Sequence, residues 1–281
     1  MKLIQGVRSM RLWSDKARAR GKTIAFVPTM GFLHEGHLSL VRRARKEADA
    51  VVMSIFVNPL QFGPREDFRA YPRNIHRDTT LARAEGCDVL FVPPRRQMYP
   101  EGFLTRVNVE QMDRVLCGAF RPGHFAGVCT VVLKLVNIVR PHALVVGQKD
   151  AQQAIILGRM LRDLNADVRV VACPTVRERG GLAMSSRNSY LSPEERVLAL
   201  AIPGALLLAR KLVRDGERNA ARILARVKTA LSLGGISDVD YVAVVDSSEL
   251  TPIKNIRGDV LIAIAARVGT TRLIDNIRLK V

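Results

Sequence analysis

Thr23–Pro28 (TIAFVP), Thr29–His37 (TMGFLHEGH), Leu38–Ala48 (LSLVRRARKEA) and Ala50–Val57 (AVVMSIFV) follow one another almost without a break, and their order decides the fold. The first and last are short apolar runs rich in β-branched residues, which read as buried strands. Between them, Glu35–Ala48 repeats its apolar residues at helical spacing, with Leu38, Val41, Ala44 and Ala48 on one face. Strand, loop, helix and strand in this order predict a crossover unit, and hence a parallel sheet covered by helices.

The alternation continues towards the C-terminus. Ile75–Glu85 reads as a helix and Asp88–Val92 (DVLFV) as a third strand. Phe125–Val139 is a long apolar helix stopped by Pro141, followed by a fourth strand at His142–Val146, a helix at Asp150–Leu164 and a fifth strand at Asp167–Ala172. The pattern then changes. Ser192–Asp215 and Asn219–Leu233 are helical, and three strand-like runs follow at Asp240–Val245, Val260–Ala266 and Thr271–Ile277. The expectation is an α/β domain over residues 1–175 and a smaller α+β C-terminal lid domain over 176–281, with the boundary near Pro174–Val176.

Composition narrows the function. With 281 residues and 48% hydrophobic content the chain can bury one large core or two separate ones. Its longest apolar run, Leu198–Ala209, contains Pro203 and Gly204 and falls short of the roughly 20 residues a membrane helix needs. The N-terminal MKLIQGVRSMRLWSD is charged without a continuous apolar stretch, which argues against a signal peptide, so a cytoplasmic protein without membrane attachment is expected. Cys87, Cys117, Cys129 and Cys173 form no C-x-x-C pair and read as buried reduced thiols. The net charge of +18 comes from 34 Arg and 10 Lys spread along the whole chain. There is no basic tail and no basic stripe interleaved with aromatics, so small anionic ligands are favoured over nucleic acid.

In parallel sheets ligands collect beyond the carboxyl ends of the strands, and the polar motifs fall there. Pro28–His37 (PTMGFLHEGH) follows the first strand and opens the first helix, whose free N–H groups form a seat for phosphate. Gly31 and Gly36 allow close backbone approach. His34 and His37, three residues apart, fall on one side of the helix start and could donate to phosphate oxygens. A metal pair or plain surface histidines are the alternatives, although a helical zinc pair is usually H-E-x-x-H and the spacing here is one residue shorter. H-x-G-H is the pattern of nucleotidyl-transferring Rossmann-like enzymes. Met184–Asn188 (MSSRN), near the domain boundary, resembles the K-M-S-K-S loop that accompanies it, with Ser185, Ser186 and Arg187 suited to phosphate oxygens. Gly147–Gln153 (GQKDAQQ) puts Lys149 at a strand end, where it could neutralise phosphate, with Asp150 as ligand group or helix cap and Gln153 one turn on. Asn58 and Gln61 (FVNPLQFGP) offer neutral amides for a hydroxyl or carboxylate. Arg121 and His124 (RPGHF) add a further anion-binding candidate.

Taken in order, PTMGFLHEGH, FVNPLQFGPREDFRAYPR, RPGHFAGVCTVVLKLVN, GQKDAQQ, GLAMSSRNSYLSPEER, DYVAVVDSSEL and AARVGTTRLIDNI closely resemble the pantoate–β-alanine ligase family over essentially the whole chain. Arg65, where relatives commonly have a small polar residue, is a minor departure. The resemblance implies ATP-dependent joining of (R)-pantoate to β-alanine through a pantoyl adenylate, with Mg²⁺ accompanying the triphosphate and a homodimer formed through the N-terminal domain. It implies that Met30, Gly31, Phe32, Leu33, His34, Glu35, Gly36 and His37 contact ATP, together with Gly147, Gln148, Lys149, Asp150, Val176, Met184, Ser185, Ser186 and Arg187. His37, His34, Lys149 and Arg187 would carry the charge stabilisation, and Gln61 and Gln153 would hold pantoate. The sequence identifies no metal ligands supplied by the protein. Other H-x-G-H enzymes, which transfer AMP to a phosphate or acyl groups to RNA, would not predict the VNPLQFGP and RPGHF segments.

Overall fold

Alternate residues of the central strands face opposite ways, and the structure separates them into two cores. Ile24 and Phe26 of β2 (Ile24–Thr29) join one core, while Ala25 and Val27 join the other. The computed structural model describes residues 1–64 and 66–281; Arg65 lies outside the described residues. Six strands form a parallel sheet: β1 (Lys2–Ile4), β2, β3 (Ala50–Ile55), β4 (Val89–Phe91), β5 (Ala143–Gly147) and β6 (Arg169–Cys173). Their spatial order is β1-β4-β3-β2-β5-β6. The order reverses between β2 and β5, so a crevice opens beyond the carboxyl ends of those two strands, where a ligand site is expected.

Helices α1 (Val7–Ala19), α6 (His124–Val139) and α7 (Ala151–Asp163) contribute to one core and α2 (Glu35–Glu47) and α3 (Ile75–Ala84) to the other. Two short helices, α4 (Arg95–Met98) and α5 (Cys117–Phe120), lie between β4 and α6. β1 and α1 were not expected. β1 is only three residues long, and α1 buries a narrow stripe of Met10, Ser14 and Ala17 in an otherwise polar segment.

The C-terminal part carries α8 (Pro193–Ala199), α9 (Ala201–Arg214) and α10 (Ala220–Leu233), then an antiparallel meander of β7 (Val239–Asp246), β8 (Asp259–Val268) and β9 (Thr271–Lys280). The single helical stretch expected over Ser192–Asp215 is two helices meeting at Leu200. Pro203 has no N–H for the carbonyl of Ala199, and its ring crowds that turn. Ile262 and Ile264 of β8 pack with the C-terminal helices, whereas Leu261 and Ala263 on the other face join the core of the large sheet. The meander thus bridges the two halves. All four cysteines are buried and unpaired, and among the described residues no helix is long and apolar enough to cross a membrane.

Candidate active site

Thr29 to His34 turn the chain from β2 into α2, and a buried carboxylate shapes the turn. Asp78 of α3, 1% exposed, accepts the N–H groups of Phe32 (2.7 Å) and Leu33 (2.8 Å). Gly31 has φ +85°, and a Cβ there would stand 2.9 Å from Ile55 Cγ2 and 3.0 Å from Asp78 Oδ2. The position therefore requires glycine for both conformation and space. Leu33 is fully buried and anchors the loop in the core, worth about 1.5–3 kcal/mol for a side chain of its size.

His34 is the N-cap of α2 and His37 its third residue. Each ring accepts a backbone N–H at Nδ1: Gly36 donates to His34 (3.2 Å) and His34 donates to His37 (3.3 Å). This reciprocal cap satisfies two amides of the helix start. It also fixes the tautomer, since an accepting Nδ1 leaves the proton of the neutral ring on Nε2. The rings lie 4.1 Å apart, centroid to centroid, and both line the cleft. Burial, reinforced by the Lys149 charge, lowers His34 to about 4; burial, then His34 and Lys149, push His37 well below its ordinary value. Both histidines are therefore neutral donors at pH 7.

Two connected cavities of about 210 and 510 Å³ fill the crevice between β2 and β5 and the space between the two halves of the chain. Both are lined by Arg121, His124, Lys149, Asp150, Gln153, Ser185 and Arg187. The smaller also receives Met30, His34, Gly36, His37, Gln61, Gly147, Val176, Met184 and Ser186. Ser186 Oγ donates to the Phe32 carbonyl at 3.3 Å, docking the MSSR segment against the histidine loop. Most of the expected site residues therefore meet in one place.

Not all of the expected residues line the cavities. Gly31, Phe32, Leu33 and Glu35 do not line the cleft: Leu33 is core, Phe32 sits beneath Arg77, and the Glu35 carboxylate pairs with Arg42. Gln148 also lines neither cavity and bonds to Asn276 instead. Asn58, expected to touch ligand, is 1% exposed and its amide is consumed within the protein. It donates to Gln61 Oε1 (3.1 Å) and the Gly127 carbonyl (3.0 Å), and accepts from Tyr99 (2.7 Å). Its part is to orient Gln61. Asp150 precedes α7 but makes no capping hydrogen bond; its carboxylate lines the cleft and accepts from the Lys149 ammonium at 3.5 Å.

The two guanidinium groups are not bare. Arg187 is held by Asp67 through bonds of 2.9 and 2.8 Å and lies over Tyr71; Arg121 is held by Glu66 through two bonds of 2.6 Å. Burial alone would raise the Glu66 carboxyl, but these Arg121 bonds hold it down at about 2. His124 Nδ1 donates to the Gln61 carbonyl (2.8 Å) and Nε2 accepts from Arg121 (3.0 Å), so this ring is neutral, lowered to about 4 by burial and then by Arg121. Glu66, Asp67 and Asp78 were not singled out from the sequence. GPRED and IHRD show acidic residues, but nothing local announces that these acids hold site groups 45 to 120 positions away.

Among the described residues no group of three His, Cys, Asp or Glu side chains could enclose a metal. A magnesium ion fits the cleft only in its usual manner, carried by phosphate oxygens and water with one or two carboxylates, and Asp150 is suitably placed to be one.

The family profile for pantoate-beta-alanine ligase matches residues 2–278. The pantothenate synthetase of Heliobacterium modesticaldum is 53% identical over 281 residues, covering 100% of both chains, and that of Thermotoga petrophila is 54% identical over 276 residues, covering 98% and 99%. Among solved structures, the pantothenate synthetase of Thermus thermophilus superposes with a TM-score of 0.93 at 45% identity, with 99% of each chain covered. The pantoate-beta-alanine ligase of Francisella tularensis, complexed with beta-gamma ATP and beta-alanine, gives 0.79 at 31% identity, with 99% and 97% covered. An H-x-G-H crevice at the sheet's switch point, flanked by the amide pair of Gln61 and Gln153 and matched along its full length by these relatives, identifies the chain as a member of the pantoate-beta-alanine ligase family.

Proposed function

We propose that this chain condenses (R)-pantoate with β-alanine at the expense of ATP through an enzyme-bound pantoyl adenylate, releasing pyrophosphate and AMP. The observation that carries the reading is a cavity lined both by the donors His34, His37, Lys149, Ser185, Ser186 and Arg187 and by the neutral amides of Gln61 and Gln153. A triphosphate suits the first group and a hydroxy acid the second.

In the first step a pantoate carboxylate oxygen attacks the α-phosphorus and pyrophosphate departs. His34 and His37 donate through Nε2 to phosphate oxygens, and Lys149 adds its charge where negative charge builds up. Met30, Gly36, Gly147, Val176, Met184, Ser185 and Ser186 frame the nucleotide, with Arg187 joining once it leaves Asp67. Gln61, oriented by Asn58, and Gln153 hold pantoate. In the second step the free amine of β-alanine attacks the acyl carbon, the amide forms, AMP leaves, and the amine proton passes to solvent. No nucleophile from the protein is needed. Magnesium would be held by phosphate oxygens and Asp150 and would offset triphosphate charge. The adenylate hydrolyses in bulk water, so residues 176–281 act as the lid of a nucleotide domain spanning residues 1–175.

The working form is proposed to be a cytoplasmic homodimer. In support of the dimer, Leu104 is 89% exposed in a segment of the N-terminal half that belongs to no strand.

Pyrophosphate release from ATP, measured with and without (R)-pantoate, tests the reading. Release that requires pantoate, followed by AMP and pantothenate once β-alanine is added, is the expected result. Release indifferent to pantoate would point to an adenylyltransferase acting on another acceptor.

A further inference from the structure

Asn276 lies on β9, in the C-terminal meander, yet its polar atoms are spent on the strand end that carries Lys149. The residue is 5% exposed. Its Oδ1 accepts from Gln148 Nε2 at 3.1 Å, and its Nδ2 donates to the carbonyls of Gln148 (3.0 Å) and Lys149 (2.9 Å). A primary amide has two N–H donors, and here both serve successive carbonyls of one turn. That turn, Gln148–Asp150, is a single 3-10 turn that leads from β5 straight into α7. The preceding residue, Asp275, 3% exposed, grips Arg177 at 2.6 and 3.0 Å, and Arg177 also donates to the Gly181 carbonyl at 2.9 Å. Arg177 begins the small hairpin that runs through Met184 into Ser185–Arg187. Two consecutive residues of one lid strand therefore hold both loops that carry the proposed phosphate donors.

We propose that Asn276 is a positioning residue for adenylate formation: by fixing the Gln148–Lys149 peptides it aims the Lys149 ammonium into the cleft, so that seating of the C-terminal meander becomes a condition for phosphate stabilisation. Lys149 acts through a four-carbon stem, which magnifies a small rotation of its peptide into a shift of about 1 Å at the charge, enough to cost on the order of 100-fold in rate. The inference rests on the assignment of Lys149 to the phosphates.

The test is a double-mutant cycle on the full chain, combining Asn276→Ala with Lys149→Ala and reading kcat and KM of pantoate-dependent pyrophosphate release beside the melting temperature. Lys149→Ala alone is expected to lower kcat by about 100-fold or more. Asn276→Ala should lower kcat by about 10- to 50-fold with the KM for pantoate within about threefold, yet add less than about threefold in the Lys149→Ala background. Losses that multiply in full would show that Asn276 acts on general structure, and normal turnover of Asn276→Ala would refute any role; either result overturns the proposal. Normal turnover of Lys149→Ala would instead remove the assignment beneath it. Should Asn276→Ala not fold, Asn276→Ser, whose shorter side chain withdraws the donors from both carbonyls while keeping a polar group at the site, enters the same cycle under the same criteria. If neither folds, Asn276 is a determinant of folding and the positioning role is refuted.

Discussion

His37 does two jobs at once, accepting the His34 amide at Nδ1 and presenting Nε2–H to the cleft. Substitution by Ala should therefore separate a small structural cost from a large chemical one. Losing the cap is worth about 1 kcal/mol of stability. Losing the donor should raise the adenylation barrier by about 2–4 kcal/mol, read as kcat for pantoate-dependent pyrophosphate release. A turnover close to that of the parent would take His37 out of the chemistry. The depressed values at His34 and His124 also carry a sign for stability. The folded rings resist protonation down to about 4, while the unfolded ones take up protons near 6.5. Nothing is lost above pH 6.5, and stability falls as the pH drops from 6.5 towards 4, by up to roughly 3 kcal/mol per ring. Urea unfolding at pH 7.5 and pH 5 should show this loss, and a His34→Gln variant should lose less.

At the scale of elements, the close seating of α6 on the turn that carries Gln61 governs the side of the cleft proposed to hold pantoate. A Cβ on Gly127 would lie 2.1 Å from the Leu60 carbonyl oxygen and 2.7 Å from the Gln61 amide nitrogen, both backbone atoms that cannot swing aside. Gly127→Ala should push the turn outward, destabilise the fold by about 1–3 kcal/mol, and raise the KM for pantoate more than that for ATP. Equal changes in both constants would argue that the turn serves the whole cleft. These elements were readable in the sequence to unequal degrees. Ala50–Ile55 and Ala143–Gly147 are continuous apolar runs, so their strands and the polar loops at their carboxyl ends could be placed in advance. Val7–Ala19 could not, because the three residues it buries are separated by charged ones and include a serine. The partners of the site residues were equally hidden. Asp67 meets Arg187 120 positions later and Asn276 meets Gln148 128 positions earlier, and no local period encodes such pairings.

On the scale of the whole molecule, the meander of β7–β9 gives one face to its own helices and the other to the core of the large sheet, so the halves share apolar packing and a row of polar contacts. Val107 and Val109 pack against the core of the large sheet while Leu104 beside them is exposed, and its side chain suits the proposed second copy of the chain. If the proposed dimer forms through this segment, a Leu104→Asp variant should sediment with half the parent's mass, and a variant that keeps the parent's mass would refute an interface there.

The paired acids Glu66 and Asp67 bear on how the cleft meets small anions in solution. Each already occupies a guanidinium of the cleft, so an arriving inorganic phosphate or sulfate ion must evict a tethered carboxylate to gain one contact. In the proposed binding mode a triphosphate that reaches Lys149, both histidines and the serine loop together gains further contacts to set against that loss. The cleft is in effect loaded with its own weak inhibitor, and it yields only to a ligand long enough to displace it.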